Sequence, residues 1–188
     1  ISFWMNEFKI DGFRFDFTKG IGNNYKPLSD SWGSNYDPDR IKLLKEIAKN
    51  VRDNKNNGIV IFEHLSEDRE EKELADEGIL MWSNANHSYS ENLMGYPSGS
   101  NSSLSWTYFK NRGWSEPNAL VYMESHDEER IIFKALNYGN SAGSYNIKQL
   151  QIALERLKTI GSIYFLLPGP KMIWQFGELG YDISINHN

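Results

Sequence analysis

Five short apolar runs recur along this chain, at residues 13–17, 59–62, 78–83, 119–123 and 172–176, with segments of helical spacing between them. That alternation constrains the fold more than any other feature. Strands joined through helices lie parallel in one sheet and cross over right-handedly. In the first run Phe13, Phe15 and Phe17 alternate with Arg14 and Asp16, so a two-residue period puts the rings on one face and the charges on the other.

The intervening segments carry helix punctuation. Asp37-Pro38 offers an N-cap followed by a first-turn proline, and Ile41, Leu44, Ile47, Ala48 and Val51 follow at helical spacing. Asn56-Asn57-Gly58 is a turn. Residues 68–77 read as a charged helix with a solvated face. Residues 84–103 are rich in Asn, Ser and Gly and read as a loop of about 20 residues, long enough to suggest function. A short helix is expected over 105–112. The longest helix is expected to be capped by Asn146, with Ile147, Leu150, Leu154, Leu157, Ile160, Tyr164 and Leu167 as its stripe and Pro168-Gly169-Pro170 as its stop. The start, ISFWMNEF, is a helix-like amphipathic scrap.

Composition removes several classes of function. A net charge of −5 over 188 residues gives no basic footprint for nucleic acid. No apolar run approaches the ~20 residues of a membrane span. With no cysteine, thiolate chemistry is excluded. Gly20-Ile21-Gly22 lacks the rest of a dinucleotide fingerprint, no Gly-x-Ser-x-Gly accompanies His126-Asp127, and no histidine pair has metal-ligand spacing. Metal ligands are therefore not expected.

What remains is a set of acids. Asp16, Glu63 and Asp127 each stand at or just past the end of an apolar run. Two carboxylates beside one sugar ring are the minimum equipment for glycoside hydrolysis, and a third can stabilise the positive charge of the transition state. Arg14, two residues before Asp16 on the same strand face, would keep that carboxylate ionised. Glu63 follows four apolar residues, and desolvation there would favour the protonated form that an acid catalyst needs. Six Trp, ten Tyr and ten Phe supply core, and some could stack on sugars. Trp82, at a strand end, is the candidate platform, and His64 is a candidate for the rim beside Glu63.

GFRFD at 12–16, Glu63, Ser125-His126-Asp127 and GPKMIWQFGELG at 169–180 occur in an order that resembles the alpha-amylase superfamily, glycoside hydrolase family 13. The resemblance covers most of the chain. It implies an α/β fold, a partial (β/α)8 TIM barrel of about strands 4 to 8 with their helices, so that residues 1–188 are a fragment of a catalytic barrel domain. It implies a retaining hydrolase of α-1,4-glucans such as starch or glycogen, with Asp16 as nucleophile, Glu63 as general acid/base and Asp127 as transition-state stabiliser. Arg14, Lys19 and His126 match substrate-binding positions; Arg130 and Glu178 match more structural ones. The implied partner is an α-glucan oligo- or polysaccharide, the favoured setting extracellular or periplasmic, and no cofactor is implied beyond a structural calcium in the parent protein. Gly20 departs from the pattern, standing where many relatives carry a histidine whose carbonyl binds that calcium. The string ESHD at 124–127 is similar to that of glucan branching enzymes, so branching or another transglycosylation is the alternative activity, and a non-catalytic carbohydrate-binding fragment the alternative class. Taken alone, the chain is expected to fold in part, to self-associate through an open barrel edge and to show little activity.

Overall fold

The protein is described by a computed structural model covering residues 1–97 and 99–187. Its contacts divide it into two units, Ile1–Ser83 with Phe109–Leu120, and Asn84–Tyr108 with the residues from Val121 onward.

In the first unit, helix α1 (Ser2–Phe8) precedes strand β1 (Gly12–Phe15), helix α2 (Pro38–Asn54), strand β2 (Ile59–Phe62), helix α3 (Asp68–Asp76) and strand β3 (Leu80–Asn84). β1 and β2 pair in parallel with Gly12 opposite Ile59 and Phe15 opposite Phe62. β2 and β3 pair in parallel with Phe62 opposite Met81. The glycine that opens β1 has a steric reason: a Cβ at Gly12 would stand 2.0 Å from the Ile59 carbonyl oxygen. α2 begins as its sequence dictates, the Asp37 carboxylate accepting from the amides of Asp39 and Arg40 at 3.1 Å each, with Pro38 at the first turn. Leu44, Ala48 and Val51 then bury one face against β2 and α3.

The second unit contains helix α4 (Asn86–Met94), helix α5 (Ile131–Tyr138), the hairpin strands β5 (Ser141–Ala142) and β6 (Tyr145–Asn146), helix α6 (Leu150–Leu166) and strand β7 (Lys171–Met172). Strand β4 (Ala119–Tyr122) gives its first two residues to the first unit and its last two to the second. β4 pairs with β7 in parallel, Val121 opposite Lys171. The sheet order is β1-β2-β3-β4-β7, an α/β arrangement of five parallel strands with six α-helices among the described residues. α4, α5 and α6 pack on one another. The Tyr164 hydroxyl lies 2.9 Å from the Val121 carbonyl and 2.8 Å from that of Met172, tying α6 to both strands.

Several local expectations are corrected. The stretch expected as a loop from residue 84 contains α4. Its asparagines bond to the helix start and to buried carbonyls rather than forming a loop: the Asn84 side chain accepts the Asn86 amide, and Asn86 in turn donates to the carbonyls of Met123 and Glu129. Gly95, at φ 82°, closes the helix. Helix α5 was not anticipated, and 105–112 forms two 3-10 turns rather than a helix. Asn146 sits in the hairpin, so α6 starts at Leu150. The first strand ends at Phe15 and the last is only Lys171–Met172. The charged helix α3 does not have a simply solvated face, since Glu70, Glu71, Leu74 and Ala75 are buried. None of the helices described is long and apolar enough to cross a membrane.

Candidate functional site

Asp16 and Glu63 follow two neighbouring parallel strands whose last residues, Phe15 and Phe62, are partners in register. Parallel pairing delivers the residues after each strand to the same end of the sheet. The Glu63 amide donates to the Phe15 carbonyl at 3.0 Å, and the Thr18 amide to the Glu63 carbonyl at 2.8 Å, so the two strand exits are stitched together.

Between the carboxylates lies Arg14. Its Nη1 donates to Asp16 Oδ1 at 2.6 Å, and its Nη2 stands 2.9 Å from Glu63 Oε2 as a charge contact rather than an aligned hydrogen bond. The sequence paired Arg14 with Asp16; the structure shares it with Glu63 as well. The two acids differ in surroundings. Asp16 is 75% exposed, Glu63 only 14%. Glu63 Oε2 also accepts the Phe17 amide at 3.0 Å. Phe17 is left-handed, with φ 44°, a conformation that costs a non-glycine residue roughly 1–3 kcal/mol.

Trp82 is brought to this group but not as a sugar platform. It is 8% exposed, too enclosed to stack on a sugar, and the Arg14 guanidinium lies 4.9 Å from its ring centroid in a cation–π contact. His64 is likewise corrected. Burial alternates along β2 and beyond, so His64 turns inward with Val60 and Phe62, away from Glu63, and is wholly buried. Lys19 is committed elsewhere too: its ammonium donates to the Leu65 carbonyl at 3.1 Å and to Ser34 Oγ at 3.2 Å.

His64 belongs to a buried polar network that the sequence did not reveal. Its Nε2 lies 2.9 Å from Glu70 Oε1 and its Nδ1 2.9 Å from Thr18 Oγ1. Because a carboxylate only accepts, Nε2 carries a proton. Arg40, also buried, donates to both Glu70 oxygens at 2.7 and 2.8 Å and to the carbonyls of Lys19, Gly33 and Asn35. Burial by itself would raise the Glu70 carboxyl, but the donors His64, Arg40 and the Asp37 amide outweigh it and hold it at about 2. A signal existed in the pattern. Glu70 lies four residues before Leu74, and Arg40 four before Leu44, so each shares a face with a core leucine.

In the second unit, Asp127 and His126 are both exposed, with Nε2 of the histidine 3.3 Å from Oδ2 of the aspartate. The His126 ring is 5.8 Å from that of Trp174. Ser125 Oγ accepts the Asp127 amide at 3.1 Å, shaping the turn. Behind it Glu124 is buried, ion-paired with Arg130 at 2.9 Å, and accepts the first amide of α5, that of Ile131, at 2.8 Å. Burial raises the Glu124 carboxyl above its ordinary range despite these donors. Arg130 also donates to the Gln175 carbonyl and covers Tyr181. Those contacts tie Arg130 to Glu124, the residue before the Ser125–Asp127 turn, and to the Gln175 backbone. Glu178 lines a largely apolar cavity of about 510 Å³ with Leu154, Leu157 and Phe165.

Among the described residues no group of three or more acidic, histidine or cysteine side chains is placed to hold a metal ion. No known protein-family model matches this chain, and no curated protein matches it.

Proposed function

We propose that this chain carries the catalytic carboxylates of a retaining glycoside hydrolase that acts on α-1,4-glucans by double displacement. The observation that carries the reading is the single Arg14 guanidinium touching both Asp16 and Glu63 at the exits of adjacent parallel strands. Two carboxyls on one guanidinium are compatible with the ~5–5.5 Å separation that retention requires.

In this reading the exposed Asp16 attacks the anomeric carbon and forms a glycosyl ester. Glu63, the more enclosed carboxyl, gives its proton to the departing glycosidic oxygen and then takes one from the incoming water. Arg14 lowers the cost of keeping Asp16 charged while the site fills with sugar. The resemblance assigns Asp127 the third role, that of stabilising the oxocarbenium-like transition state. The chain would then be strands four to eight of an eight-stranded (β/α) barrel in a longer protein, the arrangement in which strand ends feed acids to one face.

The experiment is covalent capture on the parent protein with a fluorinated α-glucosyl fluoride, followed by peptide mass mapping. The label is expected on Asp16; finding it on Glu63 or Asp127 would overturn the assignment. New reducing ends released from starch would identify hydrolysis, whereas an altered iodine colour without them would identify branching.

A further inference from the structure

With Trp82 enclosed, the aromatic surface available to a sugar near these carboxylates lies elsewhere, on the segment that follows Asp16. Trp32 is 69% exposed and Phe17 39%, and their rings meet edge to face, centroids 5.9 Å apart at 83°. Single exposed aromatics are ordinary. This pair differs in being fixed. Asp30 accepts the amides of Ser34 and Asn35 through its side chain, closing a turn around Trp32. The buried Arg40 holds the carbonyls of Gly33 and Asn35, and Lys19 reaches Ser34 from the other side.

Phe17 is fixed more tightly still. Its amide is bonded to Glu63 Oε2, and its left-handed backbone turns its ring over Gly20. A Cβ at Gly20 would stand 2.7 Å from that ring, so the absence of a side chain at Gly20 is what gives Phe17 its place. Strain at a non-glycine residue bonded to a candidate catalytic carboxylate points to use rather than accident.

We propose that Trp32 and Phe17 form a glucan-binding platform that receives the sugar residues on the leaving-group side of the scissile bond. This rests on the glycosidase reading, since Phe17 adjoins the carboxyl that would protonate the leaving group. A pyranose ring offers an apolar C–H face that packs on an aromatic face. Two rings near a right angle present surfaces in two directions, Trp32 the more open and Phe17 sharing its ring with the Lys19 ammonium 5.8 Å from its centroid, which suits the turning course of an α-1,4-linked chain better than the flat ribbon of a β-1,4-linked one.

Native gels cast with soluble starch or with hydroxyethylcellulose test this on the full chain. Starch is expected to retard the wild type and cellulose not. Trp32→Ala is expected to weaken starch binding about tenfold, Phe17→Leu by less, and Trp32→Phe to recover much of the loss. Trp4→Ala, at an exposed tryptophan on α1, is expected to change nothing. Unchanged thermal midpoints would show that each variant folds. Equal retardation of Trp32→Ala and wild type would overturn the platform while leaving the glycosidase reading to the Asp16 labelling. Retardation by cellulose but not starch would overturn both the α-glucan reading and the ligand proposed here. A wild type that no starch retards would also overturn the platform.

Discussion

At the scale of single residues, the chemistry proposed for this chain depends on one arginine standing between two acids in unequal surroundings. Asp16 faces solvent while Glu63 is enclosed and accepts a backbone amide. If Glu63 is the proton donor, Glu63→Gln in the parent protein is expected to slow cleavage of poor leaving groups by about 100-fold or more. Activated aryl or fluoride leaving groups, which need little protonation, are expected to lose about tenfold at most. Single-turnover glycosylation rates on both substrate types would check this, and equal losses would count against the role. The Arg14–Asp16 pair was legible because two-residue spacing on a strand fixes a shared face. Its extension to Glu63 was not, since that depends on which strand lies alongside. Trp82 was misread for a related reason: a strand-end aromatic is equally able to meet a sugar or a guanidinium, and only the neighbour decides.

At the scale of elements, α2 and α3 are joined by the Arg40–Glu70–His64 network, and this sets an acid limit on stability. The Glu70 carboxyl is held at about 2 against 4.5 for the free group. A depressed carboxyl contributes stability that is fully present above pH 4.5 and is lost as pH falls toward 2. A shift of that size corresponds to about 3 kcal/mol. Urea unfolding between pH 6 and pH 2.5 is expected to show a decline that Glu70→Gln flattens, the variant being the less stable protein at neutral pH because Arg40 loses its charged partner in the interior. Elements were unevenly legible. α2 could be read because its cap, its proline and its apolar stripe agree. α4 could not, because asparagine spends its hydrogen bonds on turns in most chains, whereas Asn86 spends them on the carbonyls of Met123 and Glu129 here. α5 is short, and its first amide is capped by Glu124, seven residues upstream, beyond the reach of any local capping rule.

At the scale of the whole molecule, the order of the five parallel strands agrees with the alternation of runs and helices in the sequence, while the activity assigned to it remains our proposal. Among the described residues, the outer strands β1 and β7 each have one partner in that sheet. Large apolar side chains stand exposed, among them Ile59, Phe165, Leu166 and Ile173. An open strand edge and exposed apolar surface each favour association. The 188-residue chain on its own is therefore expected to self-associate and to hydrolyse maltooligosaccharides poorly. Light scattering with a reducing-sugar assay would check this, and a stable monomer with ordinary amylase turnover would contradict it.

The glycine that opens β1 has a bearing on all three scales. With the Ile59 carbonyl 2.0 Å from where a Cβ would stand, Gly12 acts as the gauge of the β1–β2 gap. Four residues further on, that gap becomes the distance between Asp16 and Glu63. Even one methyl group at Gly12 would prise the strands apart and, if Asp16 and Glu63 are the nucleophile and proton donor proposed above, widen the span that the two must bridge together. A displacement of about 1 Å is enough to cost ~100-fold in rate. On the proposed reading, the tolerance of the reaction is thus machined at the opposite end of the strand, by a residue that would never meet the sugar.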